Sequence, residues 1–166
     1  ATSDEAQTII ARAFDIPQQA VIVTGLPRND QLLAPTPDTE LPAAVTDALA
    51  AHRQIFFYLP TFRDSGRPFA AFDWSRLDGQ LEEQNACLLI KFHPVDQTKL
   101  QLNARNVHVL DRHLDVYHVL PHATVLISDY SSIIWDYLLL RRPVILFAPD
   151  LEDFSATSRS LNFDLS

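Results

Sequence analysis

Three short segments of this chain carry side chains suited to gripping an anionic group. Ser128-Asp129-Tyr130-Ser131-Ser132 joins an apolar run to a second stretch that is apolar nearly all round. Serines at a helix start lie beside unpaired backbone N–H groups and the positive dipole end, an arrangement that favours a phosphate. The same serines also suit simple N-capping, and the local sequence leaves both roles open. His93-Pro94 directly follows Leu88-Leu89-Ile90-Lys91-Phe92. An imidazole there has the chemistry to donate to a phosphate oxygen or to protonate a leaving group, and Pro94 restricts His93 to extended geometry. A loop histidine bonded to neighbouring backbone is the plainer alternative. Pro60-Thr61-Phe62-Arg63 places a guanidinium after another apolar run. Arginine suits bidentate phosphate recognition, whereas a surface pair with Asp64 would contribute little.

Other chemistries find less support. His52, His108, His113, His118 and His122 show no metal-ligand spacing with cysteine or acidic partners, and Pro121 disrupts any helix aligning His118 with His122. Asp150, Glu152 and Asp153 read as the acidic start of a helix rather than a metal site. Three glycines in the whole chain exclude both the P-loop and the dinucleotide fingerprint. No metal or other cofactor is therefore expected. The net charge of −8 argues against a broad nucleic-acid surface but leaves room for a small anion bound by local geometry. Cys87, the single cysteine, lies in an apolar run and reads as core filling in a reducing compartment. With no membrane-length apolar run and no signal-peptide pattern, a cytoplasmic location is expected.

The elements that must position these groups are legible from periodicity. Residues 4–13 predict a short helix with Asp4 at its cap, and the β-branched run Ala20–Thr24 predicts a strand ending at Gly25. Gly25 to Asp30 reads as a loop carrying Arg28, and the prolines of 31–42 mark a connection and a domain boundary. Beyond it, strands are predicted at Ile55–Leu59, Cys87–Phe92, Val107–Leu110, Thr124–Ser128 and Val144–Phe147. Helical stretches are predicted at Leu41–Ala51, Trp74–Gln84, Leu114–Leu120 and Ser131–Leu140, with a short turn near Asp96–Leu102. Continuous apolar strands alternating with helices predict an α/β, doubly wound parallel sheet of the Rossmann-like kind. Ligands of such sheets bind beyond the carboxyl ends of the strands. That places the loops beginning at Pro60, His93, Asp129 and Ala148 on one rim.

The order of the motifs carries more than any one of them. Gly25-x-Pro-Arg-x-Asp30, Pro60-Thr-Phe-Arg63, Lys91-Phe-His-Pro94, Asp115-x-Tyr117, Ser128-Asp-Tyr-Ser-Ser132 and Arg142-Pro-Val-Ile-Leu-Phe147 follow one another along the chain. From about residue 10 onward this resembles the CDP-glycerol glycerophosphotransferase family, enzymes that build teichoic-acid-like polymers. Phe62 stands where the family pattern usually has tryptophan. Arg159-Ser-Leu-Asn-Phe163-Asp164 keeps only part of a motif found near that point.

The resemblance implies one half of a GT-B fold, with residues 1–42 an interdomain segment of helix, strand and loop. Residues 43–166 would then form the donor-nucleotide-binding domain, the N-terminal acceptor domain being absent and the isolated chain inactive. It implies glycerol phosphate transfer from CDP-glycerol to a lipid-linked acceptor, at the cytoplasmic face of the membrane and without a metal. His93 would act on the leaving CMP, and Arg63, Ser131 and Ser132 would hold the donor phosphates. Arg28, Asp30, Pro94, Asp129 and Tyr130 would support them. GT-B sialyltransferases using CMP-sialic acid also combine His-Pro with a Ser-Ser pair and form the alternative reading. A non-catalytic α/β module of the receiver kind fits poorly, because Pro60-Thr61 and Ala148-Pro149 stand where it needs an acidic pair and a lysine.

Overall fold

The computed structural model describes residues 1–34, 37, 41–51, 53–62, 73–96, 100 and 102–151. Arg63 and Arg159 therefore lie outside the described residues. The chain divides into two compact units: Ala1–Leu41 with Asp115–Pro121, and Pro42–Leu114 with His122–Ser166.

In the first unit, α1 spans Asp4–Ala13, and its N-cap is Ser3 rather than Asp4: the Ser3 hydroxyl accepts the Ala6 N–H at 3.1 Å. The strand expected at Ala20–Thr24 does not form. A 3₁₀ turn at Gln18–Ala20 is followed by a chain segment in which Ile22 is 71% exposed. Its hydrogen bonds go to the chain start and to α1: the N–H groups of Thr24 and Gly25 both donate to the Ala1 carbonyl at 3.1 Å, and Gln7 Nε2 donates to the Val21 carbonyl at 2.5 Å. β-Branched residues supply strand propensity, but a strand also needs a neighbouring ladder, and none is present in this unit among the described residues. Gly25 follows with φ +77°, a conformation that favours glycine. A 3₁₀ turn at Pro27–Asn29 then leads into the single turn α2, Asp30–Leu33. The helix expected at Leu114–Leu120 is two 3₁₀ turns, Val116–His118 and Leu120–His122. The Asp115 carboxylate caps the first by accepting the Tyr117 N–H at 3.0 Å, and Pro121 lacks the donor that an α-helix would need.

The second unit is the predicted doubly wound sheet. Strands β1 (Gln54–Leu59), β2 (Ala86–Ile90), β3 (Val107–Val109), β4 (Val125–Ser128) and β5 (Val144–Leu146) are all parallel, in the order β3-β2-β1-β4-β5. Register puts Phe56, Tyr58, Leu88, Ile90, Val107 and Ile127 on one face, where they pack with Leu81, Trp74 and Leu77 of α4 (Trp74–Glu83). Ile55, Phe57, Leu89 and Leu126 face the other way and are wholly buried. Val45 and Ala48 of α3 (Ala43–Ala50) are buried too, and that helix packs on β1 and β2. At about 25 cal/mol per Å² of apolar area, such side chains supply the main drive for folding.

The outer strand departs from the expectation of strands covered on both faces. Ile145 is 46% and Leu146 52% exposed in β5, the strand at one edge of the sheet. The long apolar stretch after Ser132 is also shorter as an α-helix than its sequence predicts. α5 spans Ile133–Tyr137, a 3₁₀ turn follows at Leu138–Leu140, and Arg141 ends it in the left-handed conformation. The Arg142 guanidinium donates to the Ala123 carbonyl at 2.6 Å, which also accepts the Tyr137 hydroxyl at 2.9 Å.

Candidate functional site

The strand order creates one place where neighbouring connections diverge. The chain leaves β1 towards β2 and returns from β3 to β4 on the opposite side of β1. The crevice at such a switch point, beyond the carboxyl ends of the strands, is where open α/β sheets bind ligands. Here it is flanked by the loop after β1, beginning at Pro60, and the loop after β4, beginning at Asp129.

Those loops are stitched together. Ser128, wholly buried, donates its hydroxyl to the Leu59 carbonyl at 2.7 Å. Asp129, 1% exposed, accepts the Thr61 N–H at 2.9 Å on Oδ1 and 3.1 Å on Oδ2, and the Thr61 hydroxyl at 2.5 Å. Oδ1 also accepts the Tyr130 N–H at 2.7 Å. A carboxylate this deeply buried is tolerable only with such donors, since removing them leaves an uncompensated charge. The supporting place expected of Asp129 is thus occupied on its carboxylate by Thr61 and Tyr130.

The other two rim loops join the same set. The Phe62 ring meets the His93 imidazole with centroids 6.1 Å apart, tilted by 43°. Tyr130 donates its hydroxyl to Asp150 Oδ1 at 3.0 Å, linking the loop after β4 to the one after β5. Tyr58 and Phe147 also meet edge-to-face at 6.1 Å, tying β1 to the end of β5.

His93 and Pro94 are exposed on this rim. His93 Nδ1 accepts the Val95 N–H at 3.4 Å, and its carbonyl accepts the Asp96 N–H at 2.9 Å. The backbone-bonded loop histidine and the rim histidine are thus the same residue. Ser131 is half-buried and its hydroxyl accepts the Ile133 N–H at 3.4 Å, a long capping contact. Ser132 is exposed and its side chain makes no capping bond. Because α5 is so short, any anion here would rely on hydroxyls and local N–H groups more than on a summed dipole.

The structure therefore brings His93, Pro94, Asp129, Tyr130, Ser131 and Ser132 to one rim, together with Thr61, Phe62 and Asp150, which sequence reasoning did not assign. Arg28 and Asp30 belong to the other unit, in the turn Pro27–Asn29 and at the first position of α2. Among the described residues no group of three or more His, Cys, Asp or Glu side chains is arranged to hold a metal ion. No helix among them is long and apolar enough to cross a membrane. A pocket of about 330 Å³ between α4 and the sheet is lined mainly by apolar side chains such as Phe56, Leu77, Ile127 and Phe147, which makes it unsuited to a phosphate.

Comparison with known proteins identifies the family and the fold. A model of the CDP-glycerol:poly(glycerophosphate) glycerophosphotransferase family matches residues 1–166. The teichoic acid ribitol-phosphate polymerase TarK of Staphylococcus aureus (strain NCTC 8325 / PS 47) is 34% identical over 158 residues, 89% of this chain and 31% of TarK. The teichoic acid glycerol-phosphate primase of Bacillus subtilis (strain 168) is 27% identical over 154 residues, 90% of this chain and 39% of the primase. The structure of the wall teichoic acid polymerase TagF superposes with a TM-score of 0.76 at 23% identity, over 99% of this chain and 43% of TagF, so the fold is shared. The chain thus spans less than half the length of these relatives. Matched along its whole length, it belongs to the CDP-glycerol:poly(glycerophosphate) glycerophosphotransferase family.

Proposed function

We propose that the carboxyl rim binds the cytidine diphosphate portion of CDP-glycerol for transfer of glycerol phosphate to a lipid-linked polyol-phosphate acceptor. The observation that carries this reading is that His93, Ser131 and Ser132 all follow strand ends on the carboxyl rim that holds the β1/β4 switch point, in a chain of this family. It is supported by a TagF variant, 25% identical with a TM-score of 0.74, whose structure was determined after soaking with CDPG.

In the proposed reaction an acceptor hydroxyl oxygen attacks the β-phosphorus. A new P–O bond forms, and the bond from that phosphorus to the bridging oxygen breaks. The electron pair of that bond leaves with CMP. The imidazolium form of His93 gives its Nε2 proton to the departing phosphate and is left as the neutral ring, while the Ser131 and Ser132 hydroxyls and nearby backbone N–H groups hold the donor oxygens. Arg63, two residues beyond Thr61 in sequence, is assigned to the phosphates as a bidentate donor. The base that takes the acceptor proton would come from another part of the longer protein, its N-terminal acceptor domain. Donor binding is metal-independent in this reading, because imidazole, guanidinium and hydroxyl donors supply the neutralisation. The full-length enzyme would work peripherally at the cytoplasmic membrane face.

A second reading concerns the transferred alditol alone. TarK and TarL of Staphylococcus aureus, at 34% and 35% identity, are ribitol-phosphate polymerases. The ribitol analogue of the donor would use the same CDP-binding rim.

Calorimetric titration of the chain with CDP, UDP and ADP tests the assignment, and CDP should bind most tightly. Equal affinity for all three would sink it. Binding should persist in excess EDTA, and a strict Mg²⁺ or Mn²⁺ requirement would contradict the metal-free donor site. Titrating CDP-glycerol against CDP-ribitol separates the two alditols.

A further inference from the structure

We propose that Asp129 is a positioning residue that spans the switch point and holds the loop after β1 so that Phe62 braces the His93 imidazole. The proposal rests on the donor-site reading above. Three contacts in series carry it. Asp129 receives both the N–H and the hydroxyl of Thr61, the latter at 2.5 Å. Thr61 is followed directly by Phe62, whose ring lies against His93. His93 is otherwise tethered only by its own turn among the hydrogen bonds described, through Val95 and Asp96.

The physical reason is the cost of moving the carboxylate. At 1% exposure, Asp129 cannot exchange Thr61 for water without bringing solvent into the end of the sheet. The Ser128 hydroxyl on the Leu59 carbonyl fixes the same two strand ends one step earlier. The loop after β1 is therefore pinned at two successive points, and the ring beyond them has a defined place. An aspartate at the mouth of an anion site would ordinarily repel the ligand. Here its charge is compensated by Thr61 and Tyr130, so it can shape the site from below without contacting the donor.

The test uses the 166-residue chain, with CDP as probe, in two readouts: calorimetric affinity, and the ¹H and ¹⁵N chemical shifts of the His93 ring. Thr61→Val keeps the shape and the backbone N–H but removes the hydroxyl. It should weaken CDP binding about tenfold, as expected for losing one charge-assisted hydrogen bond, and shift the His93 ring signals. Thr61→Ser should keep affinity within about threefold of the parent. Thr61→Val should cost much less when added to Asp129→Asn than alone, since the two act through one contact. Asp78→Asn, at the opposite end of the sheet, should move the melting temperature while leaving affinity and His93 signals in place.

Unchanged affinity and unchanged His93 signals in Thr61→Val would overturn the positioning role while leaving the donor site standing. So would an equal shift of those signals in Asp78→Asn. Failure of the unsubstituted chain to bind CDP would bring down both readings. If Asp129→Asn fails to fold, Thr61→Val alone decides.

Discussion

At the amino ends of the strands Asp78 accepts the N–H groups of Arg105 at 3.0 Å and Asn106 at 2.7 Å. At the carboxyl ends Asp129 accepts those of Thr61 and Tyr130 at 2.9 and 2.7 Å. The chemistry is the same, a carboxylate collecting backbone donors, but the surroundings differ. At the amino rim the partners are themselves bonded. Asn106 Nδ2 donates to the Asp78 carbonyl at 3.3 Å, and the Arg53 guanidinium donates to Asn106 Oδ1 at 2.5 Å and to the Ala86 carbonyl. Ile55 and Thr124 exchange two further bonds, at 3.1 and 2.7 Å. At the carboxyl rim the clasp supports exposed groups, His93 and Ser132, which face solvent with donors to offer. Polar side chains between strand starts hold the sheet; those between strand ends hold the loop that follows β1.

The contrast breaks most sharply at His93. In a full-length enzyme His93→Ala should lower turnover by about a hundred- to ten-thousand-fold, as for loss of a general acid, with a nearly unchanged melting temperature because an exposed ring buries little. A large fall in melting temperature with near-normal turnover would assign His93 to the fold instead. The converse holds for Asn106, 3% exposed and bonded to both Asp78 and Arg53. Asn106→Ala should cost about 2–4 kcal/mol in urea unfolding, since it removes the side-chain bonds to the Arg53 guanidinium and to the Asp78 carbonyl, while the folded protein keeps its CDP affinity. Loss of affinity from that change would mean that the two rims are coupled.

Asp78 sharpens the comparison through pH. Burial pushes its carboxyl up, but the N–H groups of Asn106 and Arg105 outweigh that and hold it below the ordinary value of 3.8. With the folded pKa depressed, the stabilisation is present above pH 3.8 and is lost as pH falls through the lower folded value. The stability gap between the parent and Asp78→Asn should therefore narrow as acid is added below pH 3.8. A gap that stays constant down to full acid unfolding would show that the hydrogen bonds do not depend on ionisation.

Sequence periodicity located all five strands of the second unit because each is a compact apolar run, such as Ile55–Leu59, bounded by polar residues. It misread Ala20–Thr24 because propensity says nothing about whether a ladder partner exists. His93, Ser131 and Ser132 could be picked out because each follows a strand, and parallel topology sends every strand end to one rim. The roles of Thr61 and Asp129 could not. They depend on β1 lying beside β4, a pairing between distant segments that no local pattern encodes. Thr61 reads as an ordinary loop threonine until the strand order makes it the neighbour of a buried carboxylate. The signal available was its place just after a strand, on the same rim as Asp129.

The smallest expected effect belongs to Ser132. Its hydroxyl is exposed and makes no capping bond, so Ser132→Ala removes no described contact, and stability should stay within about 0.5 kcal/mol. The backbone N–H groups at the start of α5 remain whatever side chain stands there, and they would still face a bound phosphate. Loss of one neutral hydroxyl donor should therefore weaken CDP binding by only about threefold, the lower end for a single hydrogen bond. Ser131→Ala should have a comparable effect on affinity but a slightly larger one on stability, because the Ser131 hydroxyl accepts the Ile133 N–H at 3.4 Å. Should Ser132→Ala prove as damaging to turnover as His93→Ala, the serine hydroxyl would be a principal phosphate donor, and the division of labour between imidazole and hydroxyl would have to be redrawn.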